Sequence, residues 1–284
     1  MKIATVSIDG APRVAVIDTT EAMLRPVRGV RDMIDLIGQA PDALRLDQAA
    51  PFHHDMLLAP VPLPHRNIFC VGKNYASHAR EFAQSGFDAG GGRAVEIETH
   101  PVVFTKPPSS VIGPHAIAPL HAHLTASVDY EAELAVIIGR GGRDIPAARA
   151  HEHVFGYTIL NDITARDRQR DHRQWFLGKG LDGFCPMGPW ITTADEVDAA
   201  DLRIQCWVNG ELRQDASTRD LIFDIPTLIA TLSAGLTLLP GDIIATGTPA
   251  GVGIGFDPPR FLTSGDRVRI SIEGLGTLET RFEA

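Results

Sequence analysis

Acidic residues recur at every second position in the segment Asp129-Tyr-Glu-Ala-Glu133, which leads into the apolar run Leu134 to Ile138. Because side chains two residues apart lie on the same face of a β-strand, Asp129, Glu131 and Glu133 are predicted to share one face. The plain interpretation is a solvated strand end, since charged side chains usually lie at the surface. The alternative is a set of carboxylate ligands for a cation.

A second acidic strand end favours the alternative. The strand-like run Gly156 to Leu160 continues directly into Asn161 and Asp162. Carboxylates gathered at the ends of buried strands repel one another unless a cation neutralises them. Carboxylate oxygens are preferred ligands of Mg²⁺ and Mn²⁺, and both ions leave coordination positions for water or substrate. The two strand ends together predict a divalent metal site.

The segment Tyr75 to Ala83 is predicted to be a helix, and it carries a candidate proton-transfer pair. His78 and Glu81 are three residues apart, so they share a face of that helix. A carboxylate that accepts one ring proton fixes the histidine tautomer and leaves the other nitrogen free to deprotonate water. The alternative is an ordinary surface pair, which contributes little.

Three further polar side chains, Arg166, Gln169 and Lys179, are predicted to converge on anionic oxygen. Lys179 lies between two glycines and near aromatic residues, where a partly desolvated ammonium group could polarise a carbonyl. The alternative is a surface loop with ordinary charges.

The stretch Gly241 to Gly255 is predicted to be a strand that runs into a glycine-rich loop containing Thr248. Exposed backbone amides in such a loop can hold a carboxylate. The loop lacks the Gly-Lys-Ser/Thr ending of a phosphate-binding loop and is a weak nucleotide signal. The alternative is a purely structural turn.

The elements that must position these residues are mostly strands. Lys2 to Ile8 and Arg13 to Asp18 alternate apolar and polar residues around a turn, which predicts a hairpin, and Val30 to Ile37 has helical spacing. Prolines 60, 62 and 64 then mark a linker, because each removes a donor and favours extended backbone. We therefore predict a small N-terminal α+β domain over residues 1–64 and a catalytic domain over residues 65–284.

The second domain is predicted to be a mainly antiparallel or mixed sheet with peripheral helices. It lacks the regular alternation of strands and helices that is typical of a Rossmann fold. Besides the helix that carries His78, helices are predicted at Ala147 to His153 and at Ile225 to Ala234, the last capped by Asp224. The strand-like runs are Asn67 to Val71, Val102 to Thr105, Glu131 to Ile138, Gly156 to Leu160, Ile204 to Val208, Gly241 to Ala245, Arg267 to Ile272 and Thr277 to Arg281.

Composition narrows the classes of partner. The 284 residues include 26 Lys and Arg against 35 Asp and Glu, a formal net charge of −9. We expect no nucleic acid or membrane partner, because such a surface repels phosphate backbones and anionic lipid. Cys70, Cys185 and Cys206 lie far apart, which argues against a disulfide framework or a thiolate zinc site. With no signal-like or spanning apolar segment, a cytoplasmic protein is expected.

Five ordered motifs make residues 66–284 resemble the fumarylacetoacetate hydrolase family. The resemblance is to prokaryotic members of the acylpyruvase and 2-hydroxyhepta-2,4-diene-1,7-dioate isomerase type. The motifs are Gly72-x-Asn-Tyr-x-x-His-x-x-Glu81, Asp129-Tyr-Glu-x-Glu133, Gly156-Tyr-x-x-x-Asn-Asp162-x-x-x-Arg166-Asp-x-Gln169, Gly178-Lys179 and Gly247-Thr-Pro-x-Gly-Val-Gly253.

The resemblance implies a mostly β catalytic domain of α+β class, built as a β-sandwich roll, that forms a homodimer and binds one Mg²⁺ or Mn²⁺. It also assigns roles to residues. The implied metal ligands are Glu131, Glu133 and Asp162; the implied catalytic residues are His78, Glu81 and Lys179; and the implied substrate contacts are Arg166, Gln169 and Thr248.

The sequence departs from the family pattern at three places. Val71 stands where the founding hydrolase has a fourth metal carboxylate, which indicates a site with three carboxylates and a substrate other than fumarylacetoacetate. Gly180 follows Lys179 where relatives often carry Ser or Thr. The loop from Ser85 to His100 is long and rich in glycine, so the shape of the pocket is expected to differ.

The expected function is a metal-dependent hydrolase that cleaves a carbon–carbon bond in a β-diketo acid, such as an acylpyruvate or a 2,4-diketo-3-deoxy sugar acid. His78, oriented by Glu81, would deprotonate water, and the metal would stabilise the enolate that leaves. The alternatives are a 2-oxo acid decarboxylase or a 2-hydroxy-diene-dioate isomerase or tautomerase, since both reactions pass through the same enolate. The third interpretation is a protein that binds a metal or metabolite without catalysis.

Overall fold

The computed structural model describes residues 1–39, 44–87 and 98–284. Its helices are short: α1 (Met33–Ile37), α2 (Ala76–Gln84), α3 (Arg166–Asp171), α4 (Phe176–Lys179) and α5 (Ile225–Ser233). The strands are β1 (Lys2–Ile8), β2 (Ala11–Asp18), β3 (Met23–Arg28), β4 (Arg45–Leu46), β5 (Ala50–Pro51), β6 (Ile68–Gly72), β7 (Val102–Lys106), β8 (Val111–Ile112), β9 (Ile117–Pro119), β10 (Val128–Asp129), β11 (Ala132–Ile138), β12 (Val154–Asn161), β13 (Thr164–Ala165), β14 (Cys185–Thr193), β15 (Arg203–Val208), β16 (Glu211–Ser217), β17 (Ile243–Ala245), β18 (Arg267–Ile272) and β19 (Gly276–Glu283).

Two large mixed sheets carry the fold. The first has 12 strands, with a main path in the order β4-β3-β2-β1-β14-β12-β11-β17-β6-β7, while β5 pairs with β3 and β8 with β14. The second has five strands in the order β16-β15-β18-β19-β9. A separate short ladder joins β10 to β13. The predicted mostly β, α+β class is confirmed.

Strand β11 shows how the two sheets enclose the core. Leu134 and Val136 pack with residues of the five-stranded sheet, including Ile270. Ala135 and Ile137, on the opposite face, pack with Cys70 and its neighbours. A strand buried on both faces reads as a continuous apolar run, which explains why the sequence after Glu133 contains no polar residue until the strand ends.

The N-terminal segment shares the large sheet. Strands β1 and β2 form the predicted hairpin, and β1 pairs with β14 through Lys2 opposite Thr192 and Ile3 opposite Ile191. The short helix α1 is capped by Asp32, whose side chain accepts a hydrogen bond from the Asp35 backbone. The division into two domains at residue 64 stays a prediction.

Several strand boundaries differ by one or two residues from the sequence-based expectations, and one predicted helix has a different geometry. Residues Ala147–His153 form a 3₁₀-helix rather than an α-helix; its buried side chains, Ala150 and His153, are three apart, which suits three residues per turn. The predicted strand from Glu131 begins one residue later, at Ala132. Residues 88–97, which belong to the long loop predicted from Ser85 to His100, lie outside the described residues.

Two of the predicted helices form. Helix α2 begins at Ala76, one residue after the predicted start, and α5 begins after Asp224, whose carboxylate accepts a hydrogen bond from the Thr227 amide. The three cysteines are buried and free. Within the described ranges, no helix is long and apolar enough to span a bilayer.

Candidate active site

Three buried carboxylates meet at the ends of β11 and β12. One oxygen from each of Glu131, Glu133 and Asp162 lies within 4.8 Å of the others. The antiparallel register brings them together, because Ala132 lies opposite Asn161 and the Asp162 amide donates to the Glu131 carbonyl over 2.9 Å. The two acidic strand ends therefore form one cluster.

Buried cations compensate two of these carboxylates. Lys179 Nζ, at the end of α4, lies 2.8 Å from Glu131 Oε2 and 2.6 Å from Asp162 Oδ2. Arg166 Nη2 lies 2.7 Å from Glu131 Oε1. Burial by itself would raise the pKa of Glu131, but Lys179, Arg166 and His78 lower that pKa to about 2. Glu131 is thus held ionised.

Lys106 is a site residue that sequence reasoning missed. It ends β7 and is fully buried, with Nζ 2.6 Å from Asp162 Oδ1 and 3.0 Å from the Ile163 carbonyl. The Lys179 carbonyl accepts its third hydrogen bond. The available signal was a lysine at the end of an apolar strand, followed by two prolines.

Glu133 differs from its two neighbours, because no side chain of the described residues forms an ion pair with it. Its Oε2 accepts one hydrogen bond, from the Gly247 amide over 2.8 Å. Burial, followed by repulsion from Asp162 and Glu131, raises its pKa well above the usual range. A buried carboxylate of this kind requires a further positive charge to stay ionised.

The donor set fits a hard divalent cation. Glu131, Glu133 and Asp162 offer only carboxylate oxygens, the ligands that Mg²⁺ and Mn²⁺ prefer. The uncompensated Glu133 supplies the negative charge that such an ion would balance. The residues therefore suit the metal that the sequence predicted, and the same oxygens suit either ion.

The predicted histidine and glutamate pair forms on α2. His78 Nδ1 lies 3.1 Å from Glu81 Oε2, and both side chains are buried or nearly so. Glu81 Oε1 accepts a hydrogen bond from the Gly251 amide over 2.9 Å. A proton on Nδ1 leaves Nε2 with a free lone pair.

The three predicted substrate contacts bind protein groups in this structure. Gln169 Oε1 accepts from Arg166 Nη1 over 3.1 Å. Thr248 Oγ1 accepts from Gln214 Nε2 over 2.8 Å, and the same amide group donates to the Pro249 carbonyl. Gln214, a second residue that sequence reasoning missed, ties the glycine-rich loop to β11. Roles of Arg166, Gln169 and Thr248 in substrate binding stay predictions.

Asp129 does not join the cluster that its spacing predicted. It belongs to β10, which pairs with β13 rather than continuing into β11. Its carboxylate is fully buried and binds Arg166 and the backbone amides of Gly253 and Ile254. The break between the two strands turns this side chain towards the glycine-rich loop.

Comparison with known proteins identifies the family. Residues 67–283 match the family model described as fumarylacetoacetate (FAA) hydrolase, C-terminal. The chain belongs to the fumarylacetoacetate hydrolase family. The resemblance noted in the sequence is thereby confirmed, and so is the family's fold for the catalytic part.

Relatives within the family carry out different reactions. The chain is 51% identical over 227 residues to an oxaloacetate tautomerase of Bacillus subtilis. The aligned region covers 80% of this chain and 72% of that protein. It superposes on a fumarylacetoacetate hydrolase from Exiguobacterium antarcticum with a TM-score of 0.83 and 43% identity, covering 100% of this chain and 99% of the other. A 2-hydroxyhepta-2,4-diene-1,7-dioate isomerase from Mycobacterium marinum gives a TM-score of 0.78 and 34% identity, covering 100% and 98%. The family is enzymatic, and it includes both isomerases and hydrolases.

Proposed function

We propose that this enzyme is a divalent-metal-dependent tautomerase that interconverts the keto and enol forms of a 2-oxo acid, with oxaloacetate as the first substrate to test. The similarity to the oxaloacetate tautomerase of Bacillus subtilis carries the proposal. We therefore put first a reaction that the sequence suggested as an alternative, and we keep the hydrolase as the second candidate.

The charge of the buried site supports a keto acid as substrate. With Glu81 included, the charged side chains of the site sum to −2, and a bound divalent cation would bring that sum to zero and would itself attract the carboxylates of a 2-oxo acid. The buried groups are four carboxylates and three cations, namely Asp129, Glu131, Glu133 and Asp162 against Lys106, Arg166 and Lys179.

His78 is the proposed base for proton transfer. With Nδ1 held by Glu81, Nε2 takes a proton from the carbon next to the keto group, and the electron pair of that C–H bond becomes the new carbon–carbon π bond. The carbonyl π electrons move to oxygen, which receives the proton to give the enol. Lys179 keeps its positive charge beside the site. Mg²⁺ or Mn²⁺ held by Glu131, Glu133 and Asp162 would supply electrophilic stabilisation of the negative charge that develops on the substrate.

The second candidate is a hydrolase of β-diketo acids. The same His78–Glu81 pair has the arrangement needed to deprotonate water. In that case the carbon–carbon bond is broken and two products form instead of an isomer.

The test follows the ultraviolet absorbance of enolic oxaloacetate with metal-depleted protein and with Mg²⁺ or Mn²⁺ restored. We expect the metal to accelerate ketonisation and His78→Ala to reduce the rate by about 10²- to 10⁴-fold. His151→Ala is the matched control, because His151 is exposed on the 3₁₀-helix. The products of parallel incubations with acylpyruvates are identified by mass spectrometry.

Each outcome decides between the candidates. Metal-dependent acceleration without a change of mass supports the tautomerase. Cleavage of an acylpyruvate into two products, with no acceleration of ketonisation, would replace the tautomerase with the hydrolase. Release of carbon dioxide alone would assign a decarboxylase.

A further inference from the structure

Asp129 binds as many hydrogen-bond donors as a carboxylate can accommodate. Its Oδ1 accepts from the amides of Gly253 (2.6 Å) and Tyr130 (2.9 Å). Its Oδ2 accepts from Arg166 Nε (2.9 Å) and the Ile254 amide (3.1 Å). An ionised carboxylate has about four lone-pair sites, so none is left for a metal ion or a substrate.

The donors of Asp129 come from two directions. Arg166 also forms the ion pair with Glu131, so on this side Asp129 is one residue away from the carboxylate cluster. Gly253 and Ile254 belong to the glycine-rich loop, whose Gly251 amide binds Glu81. Tyr130 adds a second link to this loop, because its Oη donates to the Gly251 carbonyl over 2.9 Å.

These contacts form a continuous path between the two halves of the site. The path starts at the cluster and ends at the imidazole; its members are Glu131, Arg166, Asp129, the loop residues Gly251, Gly253 and Ile254, then Glu81 and His78. Every donor-to-acceptor distance along it is 3.1 Å or less. Asp129 is the residue where the path passes from side chains to the loop backbone.

We propose that Asp129 is a positioning residue that fixes the His78–Glu81 pair relative to the carboxylate cluster. Its charge holds the loop amides and Arg166 at once, so the loop presents the Gly251 amide to Glu81 while Arg166 stays on Glu131. The role in turnover rests on the proposed function, since it assumes that His78 transfers the proton. The role in holding the histidine tautomer does not.

The principal test is Asp129→Asn in the full chain. Asparagine keeps the shape but replaces one oxygen by an NH₂ group, which must face two of the four donors. We expect kcat for oxaloacetate to fall by about 10- to 100-fold, as for other buried residues that orient a site. We expect KM to change by less than about threefold, so that the loss appears in kcat.

A second readout does not depend on turnover. In protein with ¹⁵N-labelled histidine, NMR reports which ring nitrogen of His78 carries the proton, with His78→Ala assigning the signal. The wild type is expected to show an Nδ1 proton in the metal-free and the Mg²⁺-bound protein, and Asp129→Asn a mixture of tautomers. This signature separates the positioning role from the choice of substrate.

The matched control is Asp242→Asn. Asp242 is also buried and bound to an arginine, Arg66, but it precedes β17, at the opposite end of the core strands. It is expected to lower stability and to leave kcat and the His78 signal unchanged. If Asp129→Asn behaves like this control, Asp129 has only a structural role and the proposal is wrong.

A milder variant decides the question should Asp129→Asn fail to fold. Tyr130→Phe removes the bond to the Gly251 carbonyl and leaves the charge of Asp129 in place. The loss of one hydrogen bond predicts a roughly two- to tenfold fall in kcat with a partial change in the His78 signal. A wild-type His78 signal and kcat in this variant would overturn the proposal, whereas an altered signal without any turnover of oxaloacetate would count only against the proposed substrate.

Discussion

Asp129 and Glu133 are four residues apart and both buried, yet their surroundings are opposite. Asp129 is surrounded by one guanidinium and three backbone amides. Glu133 has one amide and faces two other carboxylates. The charge of the first region is balanced within the protein, whereas the second has an uncompensated carboxylate that a cation from solution would balance.

The contrast shows that the hydrogen-bond donors around a buried carboxylate determine whether it can still bind a cation. The alternation in Asp129-Tyr-Glu-Ala-Glu133 predicts one shared face, but the strand is interrupted at residues 130–131, between β10 and β11. Three of the four donors of Asp129 come from Arg166 and from the loop after β17, which are distant in sequence. Spacing alone therefore does not distinguish an anchoring carboxylate from a metal ligand.

Glu133→Gln gives the largest expected effect on the carboxylate cluster. The amide can still accept from the Gly247 amide, but one ligand charge is lost. Because residues that merely orient metal ligands cost 10- to 100-fold in affinity, we expect the loss of a ligand to weaken Mn²⁺ binding by about 100-fold or more, measured by calorimetry.

The stability of the metal-free protein should change in the opposite direction. Removing one of three neighbouring buried carboxylates relieves their repulsion, so urea denaturation should show Glu133→Gln to be at least as stable as the wild type. A large loss of stability would indicate that Glu133 stabilises the fold rather than serving mainly as a metal ligand.

Lys106→Met is expected to act mainly on folding. Lys106 is fully buried against Asp162, and removing one partner of a buried ion pair costs about 3–5 kcal/mol. Lys179 still contacts Asp162, so we expect a loss of about 3 kcal/mol in the free energy of unfolding. Arg203→Met, which breaks the exposed pair with Asp215, is the control and should leave the urea midpoint close to that of the wild type. Equal midpoints for the two variants would contradict this assignment.

The sequence predicted what depends on local pattern and on motif. The hairpin of β1 and β2, helix α2 and the pairing of His78 with Glu81 follow from spacing of a few residues. The cluster of Glu131, Glu133 and Asp162 could be predicted because both strand ends are acidic.

What the sequence did not predict depends on tertiary contacts. Lys106 reaches Asp162 from β7, and Gln214 reaches the loop from β16, so neither contact leaves a periodic signal along the chain. Lys179 was predicted near aromatic side chains, and its Nζ lies 5.0 Å from the ring of Phe104. Its ion pairs with Glu131 and Asp162 could be known only from the packing of α4.

Gly255→Ala should have the smallest of these effects, and it acts on the loop side of the comparison alone. A Cβ at residue 255 would lie 1.8 Å from Glu81 Oε1 and would force that carboxylate to move. The displaced group is the end of a flexible side chain, so little stability should be lost. Glu81 would instead lose its bond to Gly251 or to His78, and we expect kcat to fall roughly tenfold, the upper end for one hydrogen bond.

Measurements of kcat, Mn²⁺ affinity and unfolding on the same variant separate the two regions. If the loop positions the pair independently of the cluster's ligands, the alanine lowers kcat and leaves the Mn²⁺ affinity and the urea midpoint near wild type. A parallel fall in Mn²⁺ affinity would mean that displacement of Glu81 is transmitted through the loop and Asp129 to Arg166 and Glu131. The contact path would then transmit a displacement of the loop to the cluster, because Asp129 is bonded both to the loop amides and to Arg166.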